Sequence, residues 1–251
     1  MIDRRQLKLE ARDILRGARS SPWVFALVFL LITGSLTLLN DVTSGAWITS
    51  LRRMDPDFPV PAFLERAASI PPLAATFIGV IVPLINAVLN AGGALYHLGI
   101  RRGREMPLST LFDGFAQAGR VIVLSLLQTV FIMLWSFLFI IPGLIAAYRY
   151  RFALYNLLEI PELSPLEALR MSSAQTYGYK TDLFLMDLSF IGWFLLGLLT
   201  LNLSFIWVTP YHTQTLVGYF QTIKRAKGIG YLPEEERRRP FDGPDPFGPS
   251  A

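Results

Sequence analysis

Cysteine is absent from all 251 residues, which excludes disulfides, thiolate metal sites and a cysteine nucleophile. Histidine occurs only twice, as His97 and His212. Neither belongs to an HExxH motif or to any i, i+4 metal pair, so their spacing offers no metal site. A GxSxG nucleophile elbow and a P-loop are also missing. No catalytic, cofactor-binding or metal-ligating residue is assigned, no cofactor is expected, and the chain reads as a non-enzyme. Charge is scarce as well, with Asp, Glu, Lys and Arg making up 17% of the residues against 52% hydrophobic.

That apolar excess is concentrated. Charge-free runs extend from Ser20 to Asn40, Ala67 to Ile100, Val121 to Tyr148 and Leu188 to Ile223. A helix rises about 1.5 Å per residue, so about 20 apolar residues cross a hydrocarbon core roughly 30 Å thick. The pattern predicts an all-α, polytopic membrane bundle with six crossings, at 22–40, 72–100, 121–141, 143–160, 182–202 and 205–223. Pro142-Gly143 is read as a tight hairpin between the third and fourth, or as the turn of a re-entrant pair. No small-residue cleavage site follows the first run, which is expected to stay in the protein as a membrane helix and not to be removed as a signal peptide.

Basic residues sort along this scheme. Six lie before the first crossing, four between Arg101 and Arg120, two at Arg170 and Lys180, and six after Ile223. The opposite side holds only Arg52, Arg53 and Arg66. Such asymmetry predicts that both termini lie in the cytoplasm. Because the charges follow sidedness, they do not argue for nucleic acid as a partner.

Three regions are expected. Residues 1–20 form a basic amphipathic helix, with Leu7, Ala11, Ile14, Leu15 and Ala18 on one face, suited either to anionic lipid or to packing on cytoplasmic loops. Residues 21–228 form the six-span domain. Residues 229–251, with five prolines after Gly230, read as a disordered cytoplasmic tail. Between spans four and five, Ser164, Pro165 and Glu167 carry a capping pattern that predicts a short helix starting there. Glu159, Glu162 and Glu167 are read as solvated or capping groups.

The stretches LKLEARDILRG, LGIRRGREMPLSTLFDGF, LWSFLFIIPGLIAAYRY, SPLEALRMSSAQTYGYKTDLFLMDLSFIGWFLLGLLT and WVTPYHTQTLVGYF cover most of the chain. In them it resembles a bacterial multi-pass membrane family catalogued as domain of unknown function 975. The resemblance implies a six-span helical fold in the inner membrane and carries no catalytic residues.

Polar groups within the spans are the candidate site. Arg149 and Arg151 fall near the middle of span four, where a charge costs about 2.5–3.5 kcal/mol on insertion scales. By helix rise, Asp187 lies about 8 Å and Arg151 about 13 Å from the cytoplasmic end, a gap that arginine's length bridges. Residues two apart point to nearly opposite sides of a helix, so Arg151 is paired with Asp187 and Arg149 is left to another partner, such as water. A purely structural pair fixing the packing of spans four and five, or a shallow hairpin whose arginines snorkel, is the plainer reading. In span two, Asn86, Asn90, Gly93 and His97 align on one face after Pro83; in span six, Tyr211, Gln214, Thr215, Gly218 and Thr222 do so after Pro210. Such stripes line a cavity or, more commonly, make interhelical hydrogen bonds. Gly192 and Gly197 are candidates for close helix contact.

Two functions follow from these features. One is a membrane protein acting through contacts with lipid, another membrane protein or a second copy of itself. The other is a small-solute or ion transporter with a polar interior between spans two, four and six. An enzyme acting on lipid headgroups held by arginine is the weakest of the readings.

Overall fold

A computed structural model describes residues 2–230 apart from 56, 58, 201 and 202. The expected tail lies almost entirely outside the described residues. Among them the chain is all helix, without a strand.

Helix α1 (Arg4–Gly17) is capped by Asp3, whose carboxylate accepts from the amides of Arg5 and Gln6. Its Leu7, Ala11 and Leu15 are buried against α13 (Phe205–Lys227). Of the two roles read for this segment, packing against protein takes up the apolar stripe. Burial, and secondly Arg4, hold the Lys8 ammonium below its usual pKa; it donates to the Ser189 carbonyl at 3.4 Å.

Helix α2 (Pro22–Ser44) begins at Ser21 and ends at Gly45, whose φ of 63° stops the helix. Two short helices, α3 (Ala46–Met54) and α4 (Ala62–Ala68), follow and are joined by an Arg52–Glu65 ion pair. Helix α5 (Pro72–Arg101) is central, touching α2, α7 (Ala118–Leu138), α9 (Ala153–Glu159) and α13. It also contacts the short α6 (Thr110–Asp113). From Ala91 to Ile100 every residue of α5 is buried. The return segment lies directly on this helix: a Cβ at Gly92 would overlap the Leu111 carbonyl, and one at Gly114 the Val88 carbonyl. Among the described residues three helical stretches, Pro22–Ser44, Pro72–Arg101 and Thr110–Leu138, are long and apolar enough to cross a membrane.

The segments expected as the remaining spans differ from the simple scheme. The turn after α7 falls at Phe139, with φ −164° and ψ 157°, and not at Pro142-Gly143. Pro142 sits in the first turn of α8 (Ile140–Arg149), where its missing N–H leaves no helical bond unmade. Gly143 lets α8 lie against Ser136 of α7.

The expected helix over 143–160 is broken into α8 and α9 at Tyr150–Phe152. The cause is α10 (Pro165–Thr176): its Ser172 and Thr176 hydroxyls donate to the Arg149 carbonyl at 2.9 and 3.2 Å. The Phe152 amide in turn donates to Ser172 Oγ at 3.1 Å. Side chains thus stand in for the helical bonds lost at the break. The expected fifth span is divided at Ser189–Phe190 into α11 (Lys180–Leu188) and α12 (Ile191–Leu199).

The capping box at Ser164 and Glu167 is complete, and its bonds to the Ser164 hydroxyl and amide hold the Glu167 carboxyl below its usual pKa. Glu159 departs from its expected solvated role. Its side chain is 5% exposed and pairs with Arg102 and Lys224, each at 2.5 Å. Arg101 meets Glu10 at 3.2 Å and Gln221 at 2.9 Å, and Arg120 donates to the Leu163 carbonyl at 2.5 Å. These bonds gather the N-terminal helix, the loop after α5, the end of α9 and the end of α13 at one end of the bundle.

Gly92→Ala is expected to lower stability by about 1–3 kcal/mol through overpacking, because the obstructing atom is backbone. Gly192, with nothing within 4 Å of an added Cβ, should accept alanine without loss. Thermal unfolding of both variants in detergent checks this; equal melting of Gly92→Ala and wild type would contradict the close approach.

Candidate functional site

Asp187 stands at the end of α11 and collects donors from three other places. Arg151 Nη2 donates to its Oδ1 at 3.0 Å. His212 Nε2, on α13, lies 2.8 Å from the same oxygen, and Tyr148 on α8 donates its hydroxyl to Oδ2 at 2.8 Å. The carboxylate is partly buried, at 20% exposure, beside Arg151 at 25% and His212 at 17%. Phe190 and Phe194 stand edge-on to the His212 ring. An anion bound this way is a fixed anchor for cationic and donor groups on neighbouring elements. Over it opens a cleft of about 340 Å³ walled by Phe184, Leu188, Ile191 and Phe194.

Arg149 turns the other way. Its Nε donates to Ser173 Oγ at 2.6 Å on α10, so a polar helix supplies one of its partners. A second cleft, of about 330 Å³, contains Arg149, Arg170 and Ser173 between Phe131, Tyr150, Leu166 and Leu169.

The other site residues are dispersed. Asn86 donates to Thr37 of α2 at 3.4 Å. Asn90 is exposed and spends its amide on the Asn86 carbonyl at 2.7 Å. His97 and Gln214, both buried, bond to each other at 3.2 Å. Residues 212 and 214 point to nearly opposite sides of α13, which separates the His97 pair from the Asp187 cluster. Neither cleft is lined by Asn86, Asn90 or Gln214. Gly197 sits tightly against the Phe205 ring, whereas Gly192 meets nothing.

Sequence reasoning missed Tyr148, His212 and the polar face of α10. Tyr148 had a signal, since it lies three residues before Arg151 and so shares its helical face. Ser172, Ser173, Gln175 and Thr176 had none, because a polar helix between spans reads as a solvated one. Gln175 is instead fully buried, with reciprocal amide bonds to Asn156 at 2.8 and 3.0 Å. Among the described residues no group of three or more His, Cys, Asp or Glu is placed to hold a metal.

An all-α chain with three helices of crossing length and ionic groups between its helices is a membrane-associated protein. The chain belongs to the family described as protein of unknown function DUF975, whose model matches residues 1–153 and 138–227. No curated protein and no solved structure matches it.

Asp187→Asn should cost about 3 kcal/mol, as expected when one member of a largely buried pair is removed and its cation is orphaned. Adding Arg151→Met should recover part of that loss. Unfolding in detergent reads both effects, and unchanged melting of Asp187→Asn would show that the carboxylate anchors nothing.

Proposed function

We propose that the chain is a non-enzymatic, multi-pass protein of the bacterial cytoplasmic membrane that acts by holding lipid, or another membrane protein, against its lateral face. Six crossings with both ends in the cytoplasm fit the ion-pair end described above, which unites the basic segments that the positive-inside rule would keep inside. In this arrangement the α8–α9 and α11–α12 pairs and α13 supply the three crossings beyond the long apolar helices.

One observation carries the reading over transport. The polar side chains of the two stripes bond between helices or turn outward, with His97 on Gln214, Asn86 on Thr37 and Asn90 exposed, and only Asn86 Oδ1 and Gln214 Nε2 are left buried without a partner among these groups. The charged clefts lie instead among exposed apolar side chains, including Phe184, Leu188, Ile191 and Leu166. Clefts walled in this way suit a ligand arriving from within the bilayer.

The cysteine-free background makes the test direct. Thr215 is fully buried, and Thr215→Cys should resist a membrane-impermeant maleimide until the protein is unfolded; rapid labelling in intact membranes would establish a water path and overturn the proposal. Ser69→Cys should label in intact cells, whereas Gly17→Cys and Ala226→Cys should label only after permeabilisation. External labelling of Ala226→Cys would mean an odd number of crossings.

A further inference from the structure

We propose that the cleft between α7, α8 and α10 is a binding site for the phosphate of an anionic phospholipid headgroup, held by Arg149, Arg170 and Ser173. The inference rests on the lateral-binding reading above and names its ligand class.

Charge is the first argument. Two guanidinium groups line one cleft of about 330 Å³, and among the described residues neither forms an ion pair with a carboxylate, although seven pairs of arginine or lysine with a carboxylate occur elsewhere. Glu167 is the acidic residue nearest in sequence to Arg170, and its carboxylate is committed to the Ser164 cap at 2.6 and 2.9 Å. Arg151, two residues from Arg149, has its counter-ion in Asp187. Of the two clefts, this one holds guanidinium groups without a carboxylate at ion-pair distance, although Glu167 still feels the charge of Arg170.

Donor geometry is the second. Arg149 uses Nε on Ser173 Oγ at 2.6 Å, which orients the guanidinium and leaves its two terminal nitrogens for an acceptor. Ser173 accepts that bond and keeps its own proton to donate. Arg170 adds a second planar fork, and paired forks suit the several oxygens of a phosphate better than a single carboxylate.

The walls supply the third argument. Phe131, Leu166 and Leu169 make the cleft apolar around its charged groups. Leu134 and Trp135, three and four residues beyond Phe131 on the same face of α7, are exposed, so an acyl chain can continue along them. Arg170 lies five residues, about 8 Å of helix rise, past the start of α10, and Leu163 just before that start is bonded to Arg120 in the ion-pair end. The cleft therefore opens near one edge of the apolar belt, at a depth a headgroup phosphate reaches.

The test uses the full chain in detergent, titrated with phosphatidylglycerol or phosphatidylcholine and read by native mass spectrometry. Wild type should bind one phosphatidylglycerol at least fivefold more tightly than phosphatidylcholine. Arg170→Gln, an exposed position that should not impair folding, should abolish that preference; so should Arg149→Lys, which keeps the charge and loses the fork. Arg225→Gln, at an exposed basic residue of the ion-pair end, should leave it intact. No preference in wild type, or an equal loss in Arg225→Gln, overturns the site. Inorganic phosphate alone forms the second arm: if it raises the melting temperature of wild type but not of Arg170→Gln, while phosphatidylglycerol is ignored, the lipid source is overturned in favour of a free anion. Labelling of Thr215→Cys together with normal phosphatidylglycerol binding would sink the lateral-binding reading and leave the site standing, so the two failures are distinguishable.

Discussion

The carbonyl of Arg149 accepts from two hydroxyls of a different helix, and the architecture of the bundle turns on that substitution. A break in a buried helix strands polar backbone groups at a cost of about 1–3 kcal/mol for each one left unpaired. Ser172 and Thr176 remove much of that cost, and the Phe152 amide finds Ser172 in return. Helix α10 is thereby bound into the interior, and the buried Asn156–Gln175 amide pair fastens it along α9. The break also divides the two arginines, sending Arg151 to Asp187 and Arg149 to Ser173.

The two charged clusters that result are chemically unlike. Around Asp187 the donors converge on one anion, and cohesion between α8, α11 and α13 is the result. Around Arg149, among the described residues, neither cation has a carboxylate at ion-pair distance, which is the basis of the anion site proposed above. An arginine with a carboxylate partner, Arg151, and one bonded instead to a serine, Arg149, thus stand two residues apart on one short segment.

Much of the helical frame was legible from residue patterns, since long uncharged runs and the Ser164 capping box depend only on neighbours in sequence. The Arg151–Asp187 contact was legible too, because a buried charge demands an opposite one and helix rise limits the choice. What escaped were features settled by distant partners. The break at Tyr150 depends on hydroxyls some twenty residues later, and nothing local at Tyr150 announces it. The turn at Phe139 was misread as Pro142-Gly143 because proline tolerates a helix's first turn as readily as a loop. Glu159 was read as solvated because Arg102 and Lys224 reach it from opposite parts of the chain.

Helix α13 is fastened on opposing sides, by His212 to Asp187 and by Gln214 to His97. A cylinder gripped on both flanks cannot roll about its own axis without breaking both grips together. Any rearrangement of this bundle must therefore proceed by tilt or by sliding of the surrounding segments, with α13 keeping its azimuth as the fixed reference against which they move.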